Sequence, residues 1–73
     1  MSPQLPRLTA REVQRELEKR GFEVVRRRGS HVILRDGQGR RVTLPCHSGK
    51  TLHPKILAAI MEDAGLSAAD FDE

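Results

Sequence analysis

His31 follows Gly29-Ser30 directly, and Arg26-Arg27-Arg28 stand immediately before that pair. Histidine is the side chain best poised to exchange protons near neutral pH. The planar guanidinium of arginine is a better phosphate fork than the lysine ammonium. A proton-transfer group beside a phosphate clamp is the minimum needed to cut RNA without a metal. A base takes the proton of a ribose 2′-OH, and that oxygen attacks the adjacent phosphorus. DNA lacks this hydroxyl, so a site of this kind selects RNA. From the residues alone, an exposed histidine with no role fits as well as a catalytic one.

His47 is the second candidate. If Arg35 pairs near Arg41 across a hairpin, His31 falls opposite Pro45 and His47 emerges near the turn at Gly29-Ser30. Two histidines at one phosphate could serve as base and acid. A loop that simply begins at His47 fits at least as well. Ser30 could position His31 or touch phosphate, but it lacks the base and orienting partner a covalent nucleophile needs. Lys50 could hold a phosphate or stay solvated, and His53, just before Pro54, reads as a helix-cap position. Cys46-His47 with His53 falls short of a zinc site, and no carboxylate pair accompanies the basic segment for two-metal chemistry. The expected site has His31 as catalytic residue, with Ser30 and His47 as accessory candidates. Arg26, Arg27, Arg28, Arg35, Arg41 and Lys50 are the expected RNA contacts, and neither metal nor cofactor is expected.

Short elements must position these residues. Thr9-Ala10-Arg11-Glu12 reads as a capping box, with Leu8 and Val13 as its hydrophobic staple. Ala10, Val13 and Leu17 recur at helical spacing and Gly21 can close the turn, which predicts a helix over about 10–20. Residues 22–27, 30–35 and 40–44 read as strands, joined by turns at Arg28-Gly29 and Asp36-Gly37-Gln38-Gly39. Alternation puts Val32, Leu34, Val42 and Leu44 on a buried face, and His31, Ile33, Arg35, Arg41 and Thr43 on the other. Pro54 suits the first position of a second helix, whose apolar stripe is Ile56, Leu57, Ile60, Met61 and Ala64. Gly65 stops it, with Leu66 folding back towards Met61. Ser67 to Asp70 could start one last turn that buries Phe71.

Two amphipathic helices and one half-apolar sheet share a core only if both helices cover the same sheet face. The face carrying His31 is then uncovered. The expected fold is α+β, in the order α-β-β-β-α, with a three-stranded antiparallel sheet and both helices on one face.

A chain of 73 residues fits one domain, 1–73, with 1–7 a loose lead-in. Cys46 is its only cysteine, so no internal disulfide can form. That fits a reducing cytoplasm, or a partner protein that completes the stability of so small a core. No apolar run is long enough to span a membrane, and the first residues lack the pattern of a secretory signal. Net charge is +3, unevenly spread. Residues 19–41 carry eight basic residues against Glu23 and Asp36, whereas 62–73 carry five acidic residues and no basic one. A basic middle suggests a surface for a polyanion. Trp and Tyr are missing, and Phe22 and Phe71 both look committed to the core. Base-stacking platforms need exposed aromatics, so RNA contact should run mostly through phosphate and ribose. Weak sequence preference and strong salt dependence follow.

The chain resembles the HicA (YcfA-like) family from about Thr9 to Phe71. The likeness rests on Lys19-Arg20-Gly21-Phe22, Arg27-Arg28-Gly29-Ser30-His31, Leu44-Pro45-Cys46-His47, the loop with Lys50 and Leu52, and Ile56-Leu57 to Ala64-Gly65-Leu66. The resemblance implies a fold similar to the double-stranded-RNA-binding domain and an mRNA interferase that is the toxin of a type II toxin–antitoxin pair. It implies a HicB antitoxin as partner, with DNA bound only through that complex, and it maps the family's catalytic histidine onto His31. Ahead of the second helix the resemblance leads to the expectation of a longer basic loop, where this chain has only Lys50 and Lys55.

A non-catalytic RNA-binding module of the same fold needs the basic face but not His31. A protein-interaction domain that complements an acidic partner needs neither RNA nor His31. Replacing His31 separates the first from the enzyme, and RNA binding at low salt separates the second.

Overall fold

Thr9 opens the first helix through a reciprocal pair of hydrogen bonds. In the computed structural model, which describes residues 7–46, 50–67 and 70, the Glu12 amide donates to Thr9 Oγ1 at 3.2 Å and the Thr9 amide donates to Glu12 Oε1 at 2.9 Å. Two of the amides that a helix start leaves unpaired are thereby satisfied. Helix α1 runs Ala10–Lys19 and buries Ala10, Val13 and Leu17.

Three strands follow: β1 (Glu23–Arg28), β2 (His31–Arg35) and β3 (Arg41–Pro45). They are antiparallel and lie in the order β1-β2-β3. Gly29 and Ser30 alone join β1 to β2. Gly29 has φ 58° and among the described residues no non-glycine residue has a positive φ, as in the II′ turn that suits the twist of paired strands. In the second hairpin Asp36 Oδ1 accepts from the amides of Gln38 at 3.0 Å and Arg40 at 2.7 Å. That side chain organises the loop as an Asx turn.

Helix α2 runs Pro54–Ala64. His53 caps it, its Nδ1 accepting from the Lys55 amide at 3.1 Å. At its other end Gly65 is left-handed, and the Leu66 amide donates to the Met61 carbonyl at 2.8 Å, which closes a Schellman motif. The segments ahead of the two helices meet: Thr9 bridges Thr51, and the Leu52 amide donates to the Leu8 carbonyl at 2.7 Å.

Val32, Leu34, Val42 and Leu44 join Val13, Leu17, Leu57, Ile60 and Met61 in one buried cluster. Both helices therefore lie on the same face of the sheet. The α-β-β-β-α order, the antiparallel sheet and the one-sided helices match the sequence expectation. Both helices contact β3, and β1 is the far edge, where only Val24 is half-buried.

β1 and β3 start and end one residue later than expected, and β2 starts one residue later but ends at Arg35 as expected, within the spread of hydrogen-bond-defined ends. Phe22 stands just before β1 and is buried. Ile56 is a correction. It was expected in the apolar stripe of α2 but is 42% exposed, because Leu57, Ile60, Met61 and Ala64 already fill the i, i+3, i+4, i+7 positions and Ile56 lies one helical step outside them. Phe71 and His47 lie outside the described residues. No helix among the described residues is long and apolar enough to cross a membrane.

Candidate functional site

The middle strand gives each of its uncovered residues a neighbour on both sides. His31 pairs with Arg28 on β1 and Pro45 on β3; Ile33 pairs with Arg26 and Thr43; Arg35 pairs with Glu23 and Arg41. Directly paired residues share a sheet face, with Cβ atoms about 4.5–5.5 Å apart. His31 is exposed, between buried Val32 and half-buried Pro45. The expected register, Arg35 with Arg41 and His31 with Pro45, is the observed one.

The arginine run is split by a β-bulge. Register shifts between Val24 and Arg26, so Val25 is an extra residue in β1. Val24 pairs with buried Leu34 and faces the helices. Simple alternation from Val24 would send Arg26 and Arg28 to the helix side. The inserted residue reverses the phase: Arg26 and Arg28 share the face of His31, while Arg27 pairs with Val32 on the helix side and is exposed at the sheet edge. A conflict in the sequence points to this bulge. A two-residue turn at Gly29-Ser30 puts Arg28 with His31, whereas a core Val24 demands the opposite phase, and only one extra residue satisfies both.

The basic segment also divides by ion pairing. Among the described residues Lys19 pairs with Glu16, Arg20 with Glu16 and Asp70, and Arg40 with Asp36. Arg26, Arg28, Arg35 and Arg41 form no ion pair among them and remain on the uncovered face with His31. Lys50 is exposed in the loop ahead of α2. Ser30 is exposed, and its carbonyl accepts from the Cys46 amide at 2.6 Å, which ties the end of β3 to the turn beside His31. Cys46 is half-buried, and His53 is held by its capping bond. Among the described residues no three His, Cys, Asp or Glu side chains come together so as to hold a metal ion.

At the end of this face away from His31 lies a hollow of about 370 Å³, lined by Gly21, Glu23, Val25, Arg35, Asp36 and Gly37. Glu23 and Val25 were not read from the sequence as site residues. Their signal is again the bulge, which brings Val25 to the surface at 53% exposure.

The arrangement is an exposed imidazole bordered by arginines on a surface that the helices leave bare. It can hold a phosphodiester against β1 and β2 and present an imidazole to the sugar beside it. A family model described as "HicA toxin of bacterial toxin-antitoxin" matches residues 10–66. No curated protein matches the chain.

Proposed function

The chain belongs to the HicA toxin family of bacterial toxin–antitoxin systems, and from that premise we propose that it is an endoribonuclease that cuts mRNA without a metal, with His31 as general base. The single observation that carries this reading is the exposed imidazole of His31 directly across from Arg28 on the bare sheet face. Arg28 and Arg26 hold the scissile phosphate by charge-assisted hydrogen bonds. His31 takes the proton of the neighbouring 2′-OH. The 2′ oxygen bonds to phosphorus as the bond to the 5′ oxygen breaks, leaving a 2′,3′-cyclic phosphate. The leaving oxygen needs a proton, and His47, two residues beyond the cross-strand partner of His31 in the chain, is the candidate donor. Arg35, Arg41 and Lys50 hold phosphates further along the strand, and Ser30 positions the turn. Arg27, facing the other way, contributes only long-range charge.

Family membership implies an antitoxin partner. We assign that role to a HicB-type protein that masks the toxin, and the cytoplasm as the place of action. Wild type and His31→Ala are to be induced separately in cells, with growth and mRNA integrity followed. Wild type should stop growth and fragment mRNA, and the variant should do neither. Equal harm from both removes His31 from the chemistry. RNA binding without any cleavage by wild type makes the chain a binding module.

A further inference from the structure

We propose that the hollow beyond Arg35 is a nucleobase subsite that selects guanine a few nucleotides from the scissile phosphate, an inference that rests on the RNA-cleaving reading above. Its position suits this. Arg35 is four residues along β2 from His31, about 13 Å at the rise of a strand and on the same face. An RNA strand lying over His31 and continuing along β2 passes across the hollow.

The walls suit a planar base. Val25, pushed out by the bulge, supplies an apolar platform at 53% exposure. A Cβ added at Gly21 or Gly37 would meet nothing within 4 Å, so the rim there is open.

The polar groups narrow the choice. Glu23 and Arg35 are cross-strand partners of opposite charge, yet among the described residues they form no ion pair with each other or with another side chain. Asp36 is already committed, to the amides of Gln38 and Arg40 and to the Arg40 guanidinium. Among the described residues Glu23 is therefore the one free carboxylate of the hollow, and an ionised carboxylate only accepts hydrogen bonds. Single-stranded bases are read along their Watson–Crick edges. Guanine alone offers two adjacent donors there, N1–H and N2–H, matched to the two carboxylate oxygens. Adenine, cytosine and uracil each set a lone-pair acceptor beside their donor, and that acceptor would face the negative charge. Arg35 takes the phosphate of the same nucleotide and offsets the repulsion between Glu23 and the backbone. The dearth of exposed aromatics still predicts weak preference elsewhere along the RNA, with this position the exception.

The test uses the full chain carrying His31→Ala, so that RNA stays intact, and an oligouridylate with one central guanosine, adenosine, cytidine or no replacement. The guanosine oligomer should bind roughly ten-fold more tightly than the others, the value of one bidentate base contact. Adding Glu23→Gln should abolish that preference with no loss of affinity for plain oligouridylate. Equal binding of all oligomers, or a guanosine preference that survives Glu23→Gln, overturns the subsite. The wild-type chain separates the two claims. Cleavage without guanine dependence removes the subsite and keeps the nuclease, whereas Glu23-dependent guanosine binding without cleavage keeps the subsite and removes the nuclease. Failure to bind any oligomer at low salt overturns both.

Discussion

Arg27 and Arg28 are neighbours in sequence but lie on opposite sides of the sheet, and that separation makes a sharp prediction. Arg28→Ala should weaken cleavage about ten-fold or more, the worth of a hydrogen bond to a charged group. Arg27→Ala should cost much less, and both variants should melt like wild type because both side chains are exposed. Steady-state cleavage rates alongside thermal melts check this. Equal losses from the two would remove the bulge from the explanation. The face of His31 was legible because Val32 and Leu34 beside it fix the alternation. The faces of the three arginines were not, because every residue of that run is polar and nothing in it marks the phase. Glu23 and Val25 escaped notice because the bulge that turns Val25 outward shows in the sequence only as the conflict between a core Val24 and the Gly29-Ser30 turn.

At the scale of elements, local chemistry fixes the ends. The capping box at Thr9, the proline start of α2 and the left-handed Gly65 were all readable, since each depends on residues within one turn of chain. The Thr9 box carries a pH signature. Hydrogen bonds from the Thr9 amide, then from its hydroxyl, hold the Glu12 carboxyl below its ordinary value of 4.5. A carboxylate depressed by folding stabilises the fold above its unfolded value and loses that contribution as pH falls through the folded value. Glu12→Ala should therefore lower the melting temperature at pH 7, and the gap to wild type should narrow as pH falls below 4.5. Asp70 behaves in the same sense, lowered first by the Ser67 amide. A gap that stays constant in acid would mean that the Glu12 carboxylate is not part of the cap. Ile56 shows where element-level reading fails: an apolar residue next to a stripe joins it only if a neighbouring element reaches that far round the helix.

The whole molecule rests on one small core and one bare face. Leu34 is fully buried on the middle strand, in the cluster it shares with residues of both helices. Leu34→Ala should cost about 2–5 kcal/mol, a large part of what so short a chain has, and denaturant unfolding should show the variant largely unfolded without its antitoxin. A loss under about 1 kcal/mol would be too small for a residue at the centre of the core. The bare face sets the salt dependence. Four arginines there, Arg26, Arg28, Arg35 and Arg41, are free of ion pairs among the described residues. The log of RNA affinity should fall against the log of salt with a slope of about −3, and a flat dependence would argue against phosphate contact. The basic middle was visible in the sequence, but its true strength was not. Lys19, Arg20 and Arg40 are drawn into ion pairs, and one of the two Arg20 partners, Asp70, lies fifty residues away in the chain.

The proposed function depends on the His31 imidazole acting on a ribose-linked phosphate. The most direct measurement is cleavage of a single-stranded oligoribonucleotide in EDTA by the purified chain and its His31→Ala variant, with melting curves of both. Wild type should cut, and the variant should be slower by roughly 10²–10⁴-fold with an unchanged melt. A variant that cuts at the wild-type rate, or a wild type that EDTA silences, would contradict the account.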